Sequence, residues 1–342
     1  MSREKIILIT GANGEVGHGL IDYISQKEDY PPIVVLDIRG LDEAITARVQ
    51  RVIVGDILDT KLLDTLMNEY EIQAIFHLAA LLSTHSEFHP EAAHRVNVQG
   101  TINLLKLAEE QGRSRGQAVK FIYPSSIASY GMPDLATKNQ AGAVVEDVYL
   151  NPTTMYGCNK LYCEHLGRYY AEHYQQLSAT PSIGVDFRCV RFPGLISATT
   201  LPMGGTSDYG PEMLHAAAKG EPYTSFVDAQ TQMPFMVMPD AIQALIHLAE
   251  APRESLSRHV YNVSSFSLSA QAFADLVLKA FPDAQIGFDQ PDLKRQGIVA
   301  TWPADMNDQQ ARHDWGWSPD YDLERAFDHY LIPAIKERYT LS

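Results

Sequence analysis

The run "ITGANGEVGHGL", Ile9 to Leu20, constrains what this chain can fold into more than any other stretch. It follows the apolar segment "KIILIT" and leads into a helix-compatible segment, so it reads as a strand, a tight turn and the start of a helix. Gly11, Gly14 and Gly17 fall within it at TGxxGxxG spacing. Gly11 permits the sharp turn, Gly14 lets the backbone approach a pyrophosphate, and Gly17 lets helix and strand pack closely. Unpaired N–H groups and the positive end of the helix dipole then meet the phosphates, with Asn13, Glu15 and Val16 on the turn itself. Asp37 ends the next apolar run, "PIVVLD", 26 residues after Gly11, where a carboxylate can accept both hydroxyls of a ribose. That carboxylate would repel a 2′-phosphate, so NAD is expected rather than NADP. Ile38 and Arg39 follow it, and Arg39 is placed to serve a phosphate, stack on adenine or stay solvated. "GDIL" after the third run sets Asp56 and Ile57 where adenine would lie, although an ordinary strand-end turn has the same letters.

The same alternation continues. "KIILIT", "PIVVLD", "QRVIVG", "QAIFHLAA" and "VKFIYPSS" are continuous apolar runs, as parallel strands buried on both faces require. "VGHGLIDYISQK", "DTKLLDTLMNEY" and "NVQGTINLLKLAEEQG" between them are helix-compatible. The prediction is α/β: a doubly wound parallel sheet of Rossmann type. Beyond "VDFRCVRFPG" the alternation weakens, so an NAD-binding domain is expected over 1–192 and a smaller substrate-binding lobe over 193–342, partly interleaved with it.

A chain of 342 residues with 45% hydrophobic content can bury one large core, or a core and a lobe that shares it. The net charge of −15, without a basic run, argues against a nucleic-acid partner. No apolar run approaches a membrane span, and the first one is a buried strand rather than a signal peptide. Cys158, Cys163 and Cys189 lack disulfide or metal spacing and read as free thiols in a reducing cytoplasm. His85, His89 and His94 lie close in sequence, but no carboxylate or cysteine completes a ligand set and Pro90 breaks the helix, so no metal is expected.

"TTMYGCNKLYCEHL" puts Tyr156 and Lys160 four apart on one helix face. A phenol titrating near ~10 is a poor base at neutral pH, and an adjacent ammonium favours its phenolate. Thirty residues upstream, "PSSIASYG" offers Ser125 and Ser126, either of which can hold a substrate oxygen. Arg191 ends a later strand and either reaches a carboxylate or pairs at the core edge. The methionines of "QMPFMVMPD" read as core or pocket wall, and Trp315 and Trp317 as anchors of the C-terminal segment.

Together, Gly11, Gly14 and Gly17, "HLAA" at 77–80, "VNVQGTINLL" from Val96, Ser126, and Tyr156 with Lys160 resemble, in order and spacing, the extended short-chain dehydrogenase/reductase family of NAD-dependent epimerases and dehydratases. The resemblance spans nearly the whole chain. It implies that Ser126 orients the hydroxyl, that Tyr156 is the acid/base, and that Lys160 holds the ribose and tunes Tyr156. Leu78, Ala79 and Ala80 would border the cofactor. It also implies a homodimer, packed through helices near Asn97 to Gln111 and Tyr156 to Gln175.

A narrower likeness lies in "VRFPGLISATTLPMGGTSDYGPEML", "QMPFMVMPDAIQALIHLAEAP" and "ATWPADMNDQQARHDWGWSPDYDL", which are similar to the short-chain type of L-threonine 3-dehydrogenase. Ser83, at the end of "HLAALLS", fits as well. The likeness implies an amino-acid substrate whose carboxylate meets the backbone of Gly204 and Gly205 and a hydroxyl of Thr206 or Ser207, with Trp302 near the site. Such a nest takes an anion without a formal cation. Met203 stands where that group usually has glycine. The same scaffold serves nucleotide-sugar epimerases and dehydratases, for which Lys294 and Arg295 are candidate diphosphate ligands, and non-catalytic NAD-binding sensors, which tend to lose the tyrosine and lysine.

Overall fold

The computed structural model describes residues 3–180, 182–202 and 204–340; Met203 lies outside the described residues. The principal strands are β1 (Glu4–Thr10), β2 (Ile33–Asp37), β3 (Arg51–Val54), β4 (Tyr70–His77), β5 (Lys120–Ser126), β6 (Asp186–Phe192), β7 (Gly194–Ile196), β8 (Gln232–Val237), β9 (Val260–Asn262) and β10 (Phe266–Ser269). The principal helices are α1 (Glu15–Ser25), α2 (Thr60–Glu69), α3 (Gly100–Arg115), α4 (Met155–Glu172), α5 (Tyr209–Lys219), α6 (Met238–Glu250) and α7 (Leu293–Ala300).

A seven-stranded sheet has the order β9-β6-β5-β4-β1-β2-β3. β1 pairs in parallel with both β2 and β4, β2 with β3, and β4 with β5. The order therefore reverses between β1 and β4, and the carboxyl ends of the strands at such a reversal form the ligand crevice of doubly wound sheets. Ile6 to Thr10 and Ile33 to Asp37 are buried, as strands covered by helices on both faces must be.

β4 ends at His77 and not at Ala80, because Leu78 N–H donates to Thr10 O and draws the chain along the end of β1. The helix expected from Asn97 is present there: a π-helical stretch over His94–Gln99 runs directly into α3, which stops at Gly116, whose φ of 74° suits a residue without a Cβ. Asp59 starts α2 by accepting the N–H groups of Lys61 and Leu62.

The chain divides into two compact units. The first comprises Met1–Ser125, Asn159–Val190 and Ile242–Tyr261; the second comprises Ser126–Cys158, Arg191–Ala241 and Asn262–Ser342. Beside the expected division at 192 with partial interleaving, the segment after β5 falls in the second unit and most of α6 in the first. The first core gathers Ile6, Leu8, Val34, Leu36, Ile75, Leu104, Phe121 and Phe187.

In the second unit β8 runs parallel to β7 and antiparallel to β10. Its core joins Tyr209, Phe226, Phe235, Phe273 and Phe327 through edge-on and tilted ring contacts. Met233 and Trp302 are packed into the same core, and Met236 on β8 is buried as well. The buried Asp240 carboxylate accepts the N–H groups of Asp320 and Tyr321 and the Ser265 hydroxyl, so "MPDAI" locks the "YDL" tail in place. Trp317 is buried and donates to Asp308. Among the described residues no helix is long and apolar enough to cross a membrane.

Candidate active site

The turn after β1 is built on two close approaches. Gly11 has φ 68°, and a Cβ there would overlap the backbone of Leu78 and Ala79; a Cβ at Gly17 would overlap the backbone of Ala12. Gly14 is different: a Cβ there would project into open space at the start of α1. That space lies at a helix N-terminus, where a pyrophosphate is favoured by free N–H groups and the dipole. Glu15 and Val16 are half-buried in the first turn of the helix.

Asp37 is nearly buried at the end of β2, and its two oxygens accept N–H groups from Asn13 at 3.0 Å and Arg39 at 3.1 Å. The carboxylate is thus oriented before any ligand arrives, while Ile38 and Arg39 stay exposed beside it. Asp56 is exposed and caps its own turn by accepting Leu58 N–H, which is the ordinary strand-end arrangement. Ile57 is buried, and its side chain packs against Gly100. Leu78, Ala79 and Ala80 are half-buried and run beside Gly11, and Ser83 opens a short helix (Ser83–Phe88) just beyond them. These residues fit a dinucleotide: a cradle that admits no Cβ, open room at the helix start and a pre-oriented carboxylate.

Gly11→Ala puts a side chain where φ is positive and space is absent. It is expected to weaken NAD binding at least about tenfold by calorimetric titration. Unchanged affinity would show that the turn does not carry the cofactor.

The two serines at the end of β5 part ways. Ser125 is buried and donates to Glu164 Oε1 at 2.5 Å. Ser126 is half-buried and its hydroxyl accepts Ala128 N–H at 3.1 Å, leaving its own proton and a lone pair to offer. Gly157, beside Tyr156 at the start of α4, packs so closely on Ala128 that a Cβ would overlap its carbonyl, which brings the helix start to the Ser126 turn. Burial pushes the half-buried Tyr156 phenol above its ordinary value, so its base form needs a positive charge nearby. One turn along α4, Lys160 is buried, donates to Pro124 O at 2.7 Å and stands 4.5 Å from the Tyr123 ring centroid. α4 ends at Glu172, short of the Gln175 expected from sequence.

In the second unit, Gly204 has φ 76° and Thr206 is buried, with Ser207 half-buried. The Gly205 N–H, expected to face a ligand, instead donates to Asp208 Oδ2 at 2.6 Å. Gly205 O accepts from Arg295 on α7 at 2.5 Å, and the same guanidinium lies 3.5 Å from Glu212 and 3.3 Å from the Phe226 ring centroid. Asp208 and Arg295 therefore shape this segment, and the role of Arg295 is hidden from sequence reading because it depends on a contact across 90 residues. Arg191 is buried and donates to Glu146 O and the Tyr130 hydroxyl, so its guanidinium is engaged inside the second unit. His85 and His89 are exposed, with ring centroids 4.7 Å apart.

Residues 7–264 match the NAD dependent epimerase/dehydratase family. The mitochondrial L-threonine 3-dehydrogenase of Bos taurus is 34% identical over 94% of this chain and 80% of its own length. Among solved structures, a partial-consensus L-threonine 3-dehydrogenase is similar at 33% identity and a TM-score of 0.84, covering 99% of this chain and 100% of its own. A monomeric L-threonine 3-dehydrogenase from a metagenome is similar at 34% identity and a TM-score of 0.83, with 97% and 99% covered.

Proposed function

Because the chain belongs to the NAD-dependent epimerase/dehydratase family, and is an NAD-dependent oxidoreductase, we propose that it oxidises the β-hydroxyl of L-threonine to 2-amino-3-oxobutanoate. Ser126 holds the β-oxygen, Tyr156 takes the hydroxyl proton, and Lys160 supplies the positive charge that the buried phenol requires. Bound NAD would accept the hydride leaving the β-carbon. Asp37 would receive the adenosine ribose, and its negative charge favours NAD over NADP.

The observation that carries this reading over a nucleotide-sugar substrate is the engagement of Arg295. Its guanidinium meets Gly205 O, Glu212 and Phe226, so it acts on the glycine segment instead of standing as a free clamp for a diphosphate. Lys219, the one lysine or arginine from Phe192 to Pro252, lies 3.8 Å from Glu221. What remains at Gly204 to Ser207 is backbone and hydroxyl, suited to the head of an amino acid. Gly205 would offer its N–H once the substrate carboxylate replaces Asp208. Arg191 has no substrate role in this scheme. A homodimer working in the cytoplasm is part of the proposal; the three cysteines are free thiols, in keeping with a reducing compartment.

The test is NADH formation at saturating NAD with L-threonine, beside L-serine, D-threonine and L-allo-threonine. Selective reduction with L-threonine is expected. No reduction by protein shown to bind NAD would sink the substrate, and NAD retained through purification with turnover of a UDP- or GDP-sugar would replace it with an epimerase or dehydratase. A sedimentation mass of one chain would remove the dimer.

A further inference from the structure

Pro124 and Ser125, consecutive near the end of β5, are held by successive turns of α4. Lys160 Nζ donates to Pro124 O at 2.7 Å, and Ser125 Oγ donates to Glu164 Oε1 at 2.5 Å. Lys160, Ser125 and Glu164 are all buried. A buried ammonium stays charged only if hydrogen bonds and a counter-charge replace its hydration.

The groups around Lys160 can be taken one at a time. His77 from β4 is held neutral: burial pushes it down to about 3, and its ring nitrogens meet the hydroxyls of Thr10 at 2.8 Å and Thr101 at 2.9 Å. Tyr123 from β5 presents the face of its ring. Burial pushes the Cys163 thiol of α4 up, so it remains protonated at neutral pH. Cys189 from β6 is a second buried thiol. Tyr156 precedes Lys160 by one turn of the same helix. Glu164 is the carboxylate of this set.

We propose that Glu164 is a positioning residue for the catalytic pair: its carboxylate, pinned by Ser125, keeps the Lys160 ammonium charged and fixed at the end of β5. The inference rests on the reading of Lys160 as the group that tunes Tyr156. Burial pushes Lys160 down to about 8 from an ordinary 10.5; the Glu164 carboxylate acts the other way, as Cys163 and Cys189 do only where they ionise. Removal of the carboxylate lowers it further.

Two consequences follow for Glu164→Gln, which keeps an acceptor for Ser125 and loses only the charge. The first concerns catalysis. With less positive charge at Lys160 the phenolate of Tyr156 is less favoured, so the rising limb of kcat/KM against pH moves up by about one unit. That is about a tenfold loss at neutral pH, recovered in alkali. The second needs neither substrate nor cofactor. A lysine titrating lower in the folded than in the unfolded chain makes stability rise with pH between the two values, here from about 8 to 10.5. In the variant this rise begins at a lower pH.

The experiment records melting temperature against pH for the wild-type chain, Glu164→Gln, Glu164→Asp and Ser125→Ala, and kcat/KM against pH for the same proteins. The expected result is a downward shift in the onset of the stability rise for Gln, a smaller shift in the same direction for Asp, and an unmoved onset for Ala. Curves for Gln parallel to the wild type overturn the proposal. So does an equal shift in Ser125→Ala, which would make the effect one of packing. If the Gln protein does not fold, an unshifted Asp curve overturns it. Failure of threonine turnover would strike the functional reading and leave the stability arm intact.

Discussion

Tyr156→Phe should lower kcat for the proposed L-threonine oxidation by about a hundred- to ten-thousand-fold, the range of a positioned acid/base, while NAD binding stays within about twofold. The change removes one hydroxyl and keeps the ring, so the packing of Gly157 on Ala128 has no reason to relax. Nothing else in the Ser126 turn can take over the proton. Ser126 is a far weaker base than a phenolate, and Lys160 is committed to Pro124 O. Because burial raises the Tyr156 phenol above its ordinary value, the wild-type rate should climb with pH as the phenolate forms, and the Phe variant should have lost that climb. Steady-state kinetics across pH, with NAD affinity measured by titration, decide the matter. Undiminished turnover would remove Tyr156 from the mechanism.

Arg188→Met is expected to destabilise the folded chain by about 3–5 kcal/mol, the range found when one partner of a buried ion pair is deleted. Arg188 is 1% exposed on β6. Its Nη1 donates to the carbonyls of Leu248, Ala249 and Ala251, which end α6, and its Nε and Nη2 grip both oxygens of Asp186. One side chain therefore caps a helix C-terminus, favours the negative end of its dipole and neutralises a carboxylate. Methionine fills much of the volume and answers none of these groups. Lys120 still reaches Ala249 O and Arg253 lies 3.7 Å from Asp186, which limits the loss at those two groups. Chemical denaturation with the m-value held constant measures the effect. A loss below about 1 kcal/mol would mean that water satisfies the orphaned carbonyls. Arg188→Met with Asp186→Leu should recover part of the loss, because the stranded charge is then gone too.

The glycine turn, the strand runs and the Tyr156 to Lys160 spacing could be read from sequence because each depends on neighbours within about one helical turn or one strand. Asp37 was legible for the same reason, since the end of a strand is a local feature. Residue pattern alone left the two serines equivalent, and only the family resemblance chose Ser126. Which of them keeps a usable hydroxyl is decided by Glu164, 39 residues further on, whose carboxylate binds Ser125 and leaves Ser126 to the turn. Arg191 and Arg295 were open in the same way: of the alternatives the sequence leaves for Arg191, the structure shows pairing with Glu146 O and the Tyr130 hydroxyl, and Arg295 donates to Gly205 O.

The sequence by itself thus determined the reversal-type parallel sheet, the cofactor cradle and the residue types able to move a proton, since periodicity and fixed spacing encode them directly. Only the tertiary structure decided how the chain divides between two units, that "MPDAI" and "YDL" meet through Asp240, and where each arginine and serine directs its polar atoms. The physical reason is that a buried polar group must find a partner, and that partner is whichever donor or acceptor the fold brings within about 3 Å. Such partners come from anywhere along the chain, so local pattern carries no record of them.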